Sequence, residues 1–258
     1  MTTLRYFDCR GRAEPLRYML EDWEVAYTDE VVKLNRQEWN EKREMSSFAG
    51  PFGQLPILEW ADPEELRTVA QTLAIAQYVG MKCDPVLRGN VVQAEQITKA
   101  MSYGCCAYED LLMKILGAIG DPSQGLRVFG QVVPKALERF DHVLSVMEEK
   151  VFDVQSSAVN PEEYLTEGVY LLGSSPAWPD YIFFHAVSLL YEIAGPAIFA
   201  PFPKVAAYQA RMSQRPNIAQ YLASGRQQKA MTLEANEEAK IEAIVIKLRD
   251  AGVLPPPQ

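Results

Sequence analysis

Pro56 divides the stretch Gly50-Pro51-Phe52-Gly53-Gln54-Leu55-Pro56-Ile57-Leu58-Glu59-Trp60 into a loop and a strand. Two glycines and a second proline punctuate the chain before it, and an apolar run follows it. Proline has no N–H to give a sheet ladder, so it belongs at a strand's first residue or at a sheet edge. A bond to proline can be cis at a cost of only about 0.5–1 kcal/mol. In a cis bond, Leu55 would hold its own N–H and C=O away from the sheet, open to a ligand. A proline that merely starts a strand explains the same residues, so the surroundings must decide.

Taken in order, Leu4-Arg5-Tyr6-Phe7 reads as a short strand. Arg10-Gly11-Arg12-Ala13-Glu14-Pro15 turns into a helix whose Leu16, Met19, Leu20 and Trp23 share a face. Val25 to Val32 is a second strand, and Asn35 to Arg43 a short polar helix. After the Pro56 strand and a turn at Asp62-Pro63 come a strand from Leu66 to Val69 and a helix from Thr72 to Val79. The order β-α-β-α-β-β-α within about 80 residues is one small α/β domain. Met81 to Pro85 reads as a linker, and from Val91 onward the apolar spacing is helical. Ile97, Met101, Leu111, Leu112, Ile115 and Leu116 mark one or two long helices, and Val133, Leu137, Phe140, Leu144, Met147 and Val151 mark another. Phe152 to Glu167 is a polar insertion predicted to be an exposed loop. Short helices follow near Lys204–Ser213 and Asn217–Ser224.

Composition narrows the function. With 48% hydrophobic and 23% charged residues the chain is an ordinary soluble globular protein, and its net charge of -9 argues against nucleic acid and anionic membrane surfaces. Cys9, Cys83, Cys105 and Cys106 match no metal-binding spacing, so no metal is expected. The run Tyr181–Phe199 is apolar, but His185, Glu192 and Gly195-Pro196 interrupt it, so Asp180 to Ala194 reads as a buried core helix rather than a membrane span. The first residues lack an apolar signal segment, and a reducing cytoplasm is expected.

Four motifs now stand in order: Tyr6 on the first strand, Gly11-Arg12-Ala13-Glu14, Gln54-Leu55-Pro56-Ile57-Leu58, and Gln71-Thr72-Leu73-Ala74-Ile75-Ala76. Together they resemble a cytosolic glutathione transferase of the tyrosine type, closest to the sigma class. The resemblance covers roughly residues 1–225. It implies a thioredoxin-like α/β domain over 1–82 and an all-α domain over 88–225, leaving 226–258 as an extension with an amphipathic helix. It also implies glutathione as co-substrate, a small electrophilic partner in the reaction, a detoxifying role and a homodimer.

Residue by residue, Tyr6 matches the tyrosine whose hydroxyl favours the glutathione thiolate, and Arg12 matches an arginine that supports it. Leu55, shelved by Pro56, would pair through its backbone with the cysteinyl unit. Gln54, Gln71 and Thr72 would hold the γ-glutamyl end, where a helix start favours a carboxylate. Trp39 and Arg43 match positions that contact the glycyl end, with arginine where lysine is usual. Glu95 matches an acid that reaches the partner subunit's glutathione, and Phe52 a key inserted into that subunit. Tyr103, Cys106 and Tyr108 are candidate walls of the second-substrate pocket. Each has a plainer explanation: core packing for the aromatics, a salt bridge for Arg12, a helix cap for Gln71-Thr72, a solvated face for Glu95. His142 and His185 read as structural.

Three other readings compete with this one. Cys9 beside Arg10 could be a thiol-type nucleophile, but Tyr6 fills the tyrosine position and the usual Cys-Pro setting is missing. Sigma-like proteins also include prostaglandin isomerases and non-catalytic lens crystallins. Two departures stand out: Ala177 where a Ser or Thr usually caps the buried helix, and the tail. Ile241, Ile244, Val245 and Leu248 form an apolar stripe that needs a surface, either the second-substrate pocket or, as the long polar lead-in suggests, the outer face of the helical domain.

Overall fold

The computed structural model describes residues 1–62, 66–83, 93–157 and 168–255. β1 (Thr2–Phe7) lies inside a four-stranded sheet. β2 (Tyr27–Val32) runs parallel to it with Tyr6 opposite Val31, and β3 (Ile57–Ala61) antiparallel with Leu4 opposite Leu58. β4 (Leu66–Ala70) pairs antiparallel with β3, giving the order β2-β1-β3-β4. β3 starts one residue after Pro56, as the missing N–H requires. α1 (Glu14–Asp22) joins β1 to β2, and α2 (Arg36–Lys42) and α3 (Ser46–Ala49) lie between β2 and β3. Asn35 begins α2 with a full capping box: its side chain accepts from the Gln37 and Glu38 N–H groups, and Glu38 accepts from the Asn35 N–H. α4 (Thr72–Cys83) completes the thioredoxin-like half.

The second half is helical. α5 (Gln93–Cys105) runs through a π-helical stretch, Cys106–Leu112, into α6 (Met113–Gly120). A 3-10 turn, α7 (Gly125–Arg127) and a second π stretch, Val128–Val132, lead into α8 (Val133–Ser157). α9 (Trp178–Ala194), α10 (Pro203–Ser213), α11 (Pro216–Ala223) and α12 (Glu237–Asp250) follow. Two boundaries differ from expectation. Met81–Cys83 still belong to α4, and Phe152–Ser157 continue α8, because no helix breaker precedes Asp84-Pro85 or Asn160-Pro161. Residues 84–85 of the expected linker and 158–167 of the expected loop lie outside the described residues.

α9 is the centre of the core, buried on nearly every side. Trp178 at its start packs against both halves: a Cβ added to Gly80 of α4 or Gly104 of α5 would lie 2.8 or 2.2 Å from its ring. Ala177 brings no side-chain cap, but the buried Asp180 carboxylate accepts from the Ala177 and Leu171 N–H groups at 2.9 and 3.0 Å. The tail crosses the sheet before its helix reaches the helical domain. Backbone bonds from Arg10 and Gly11 to the carbonyls of Ala230 and Met231, at 2.8 and 2.9 Å, draw its lead-in across the end of β1. α12 then docks on α6 and α7, burying Ile244 and Leu248.

His185 on α9 is wholly buried and lies 3.0 Å from the Gly11 carbonyl through Nε2, while Nδ1 has no partner among the described residues. Burial, with the Arg10 charge nearby, lowers its pKa to about 3. The unfolded chain binds this proton below about pH 6.5 and the native state does not, so acidification must favour unfolding. Replacing His185 with Gln, which keeps a donor for Gly11, should remove this contribution. Between pH 7 and pH 5 the wild type should lose about 2 kcal/mol relative to the variant in urea unfolding. A pH-independent difference would mean that His185 is not held neutral.

Candidate active site

A cleft of about 490 Å³ opens between the end of β1, the end of α2, the loop before Pro56 and α6. The sheet side is lined by Tyr6, Arg12, Trp39, Arg43, Gln54 and Leu55, six of the ten residues expected from the sequence. Pro56 lies buried behind Leu55, and the bond between them is cis. Gln71 joins from beside the cleft by donating to Gln54 at 2.9 Å. Its φ of 74° is uncommon for a residue with a side chain. Thr72 is buried at the start of α4, its hydroxyl donating to the Arg12 carbonyl at 3.1 Å.

Glu95 is not brought here: it is exposed on the first turn of α5, ion-paired with Lys99. Of the expected second-substrate walls, Tyr103 and Cys106 pack against the core and Tyr108 is buried, so none of the three lines the cleft. That wall is instead Met113, Leu116, Gly117 and Gly120 of α6, facing Thr232, Leu233 and Glu234 of the tail. The α6 set has helical spacing, which a sequence shows as a face without saying what it faces. Thr232–Glu234 carry no such pattern. Phe52, also apart from the cleft, is 61% exposed.

Tyr6 is buried at the strand end, and burial foremost raises its pKa, so it holds its proton. Its hydroxyl oxygen accepts from the Arg12 N–H at 3.0 Å. The hydroxyl proton is thereby directed to another acceptor. The turn that delivers this N–H depends on Gly11, whose φ is +41° and whose added Cβ would lie 2.6 Å from the Tyr6 hydroxyl. The Gly11 peptide is used at both ends, donating to Met231 and meeting His185. Arg10 is fixed by a two-point pair with Glu192 at 2.5 and 2.8 Å. At the far end of the sheet side, Trp39 sets its edge against Phe7, centroids 4.8 Å apart, and the Arg43 guanidinium lies 5.9 Å from the Trp39 ring centre.

Cys9 does not supply a thiolate. It is 2% exposed, and burial pushes its pKa up to about 12 despite Arg17 nearby. Among the described residues no cluster of metal-ligating side chains occurs. Nor is any described helix long and apolar enough to cross a membrane.

Comparison with known proteins adds three findings. Residues 109–225 match the family "Glutathione S-transferase, C-terminal domain". The chain is 26% identical to rat glutathione S-transferase alpha-4 over 227 residues, which is 88% of this chain and 90% of the rat protein. Among solved structures it is similar to the pi-class glutathione S-transferase of Onchocerca volvulus, with a TM-score of 0.66 and 19% identity over 100% of this chain and 97% of that one. It is also similar to a monomeric glutathione S-transferase of Necator americanus, with a TM-score of 0.63 and 24% identity over 88% and 98%. The names of these relatives give the alpha and pi classes, and none gives sigma. A matched helical domain, and a sequence similarity that continues through the thioredoxin-like half, make the chain similar to the glutathione S-transferases.

Proposed function

We propose that the cleft binds glutathione as co-substrate, activates its thiol as a thiolate, and directs it at small apolar electrophiles. The observation that carries this reading is the protonated Tyr6 hydroxyl, backed by the Arg12 N–H. A thiol's reference pKa is about 8.5, and a donated hydrogen bond stabilises the thiolate over the thiol. Arg12, lining the same cleft, adds positive charge. Leu55 offers its backbone to the cysteinyl unit, Gln54, Gln71 and Thr72 hold the γ-glutamyl end beside the start of α4, and Trp39 and Arg43 receive the glycyl carboxylate. This set is the sigma-like part of the chain.

On this reading residues 1–82 bind glutathione, while 88–225 and the extension 226–258 shape the electrophile's place between α6 and Leu233. The protein works as a cytoplasmic homodimer, with Phe52 as the inserted key and Glu95 reaching the partner's glutathione. Their exposure in the single chain supports this.

Tyr6→Phe should reduce turnover by roughly 10²–10³-fold and leave glutathione affinity within about twofold, since one donor to a forming anion is worth about 2.7–4 kcal/mol. Unchanged turnover would exclude Tyr6 as the activating group. A Cβ added to Gly117 would meet nothing within 4 Å, so a side chain can start there and extend into the cleft that Gly117 lines. Gly117→Leu should raise KM for an aromatic electrophile about tenfold or more and leave that for glutathione unmoved; the opposite split would relocate the electrophile. Sedimentation at micromolar concentration should show a dimer, and a monomer would remove Phe52 and Glu95 from the site.

A further inference from the structure

The tail meets the activating tyrosine through a chain of hydrogen bonds that begins at Glu237, on the first turn of α12. One carboxylate oxygen accepts from the Met231 N–H at 2.8 Å, and the other from the Thr232 N–H and hydroxyl at 2.5 and 2.6 Å. Both oxygens are therefore turned back onto residues 231–232. The left-handed Asn236 that precedes the helix makes no side-chain cap either. Held in this way, the segment presents the Ala230 and Met231 carbonyls to the N–H groups of Arg10 and Gly11. His185 of α9 holds the Gly11 carbonyl. The next N–H along the chain, that of Arg12, is the one donated to Tyr6. The loop is thus held by both the tail and α9, and the tail's hold ends in one carboxylate side chain that does not line the cleft.

We propose that Glu237 is a positioning residue for thiol activation: it fastens the tail across the Arg10–Arg12 loop, and so sets the Arg12 N–H that orients the Tyr6 hydroxyl. The inference rests on the reading of Tyr6 as the sulfur's hydrogen-bond donor. Gln in place of Glu237 keeps the size but replaces one acceptor oxygen with an NH2 group, which faces a backbone N–H it cannot accept from. The loop then loses its fixed partner, and small misplacements at a reacting centre cost heavily in rate.

The test is the pKa of glutathione's thiol when bound. It is read from the ultraviolet absorbance of the thiolate as pH is varied, and from the pH dependence of kcat/KM with a nitro-activated aryl chloride. Glu237→Gln should raise that pKa by about half to one unit, cutting the rate near neutrality by about three- to tenfold, with glutathione affinity within about twofold. In a Tyr6→Phe background, where the pKa is already raised, the same substitution should cause no further shift. If Tyr6→Phe raises the pKa and Glu237→Gln does not, the proposal is overturned while the reading of Tyr6 stands. A Glu237→Gln shift of equal size in both backgrounds overturns it too, since Glu237 would then act by another route. If Tyr6→Phe leaves the pKa where it was, the Tyr6 reading fails and takes the proposal with it. Should Glu237→Gln not fold, Thr232→Val, which removes one of the three bonds, should give a smaller shift in the same direction; no shift there overturns the proposal.

Discussion

Arg17 is a fully buried charge, and much of the molecule is arranged to satisfy it. Its Nη1 donates to the equally buried Glu14 at 3.0 Å and to the Cys9 carbonyl at 3.2 Å, and its Nε to Asp29 at 2.9 Å. Glu14 in turn accepts from the Tyr221 hydroxyl at 3.1 Å and from Gln227 at 3.0 Å. One turn of α1 therefore fastens β2, the loop after β1, α11 and the start of the tail. Removing one member of such a buried pair typically costs about 3–5 kcal/mol, because the remaining charge is stranded. A second cluster at the other end of α1 repeats the arrangement: Asp22 receives the Tyr181 hydroxyl and the Arg215 guanidinium, both at 2.6 Å. The two halves of the chain are thus joined by polar groups with directional demands as well as by apolar contact. Such groups fix one relative placement.

The cleft gains its chemistry from that rigidity. A tyrosine in water is a donor and an acceptor in equal measure, and its proton has no fixed direction. At the end of β1, burial keeps Tyr6 protonated and the Arg12 N–H occupies an acceptor position on its oxygen. What remains is a donor, which the proposed function assigns to a sulfur bound in the cleft. The same low exposure has the opposite consequence three residues later: it keeps Cys9 a thiol and removes it from the chemistry. Two neighbouring groups that could each have been reactive are separated by their surroundings alone.

The thioredoxin-like half was largely legible because its signals are local. A proline that cannot join a ladder, a glycine before a helix and alternating strands each report on a few neighbouring residues. The sheet-side wall of the cleft is made from those same segments, so its residues could be named together. The opposite wall could not. Met113, Leu116, Gly117 and Gly120 differ from core-facing residues only in what lies across from them, and that is set by α9 and the tail. Periodicity correctly indicated a stripe on α12, but a stripe does not say where it docks. That was decided by backbone pairing between Arg10–Gly11 and Ala230–Met231, to which side-chain pattern is blind. Glu95 and Phe52 were named for a second subunit, and a single chain leaves them in solvent.

That pairing has a consequence for how the protein is made. The tenth residue finds its backbone partner only when the two-hundred-and-thirtieth has been synthesised. At roughly 5–20 residues per second, the nascent sheet waits on the order of ten to forty seconds for it. During that interval Arg10 and Gly11 expose unpaired N–H groups, and the turn that carries the Arg12 N–H lacks one of its two supports. A ribosome-bound chain can therefore fold its first strands early, yet it gains the finished loop only once residues 230 and 231 have emerged. Residues 10–11 and 230–231 thus complete one small patch of surface from distant parts of the chain.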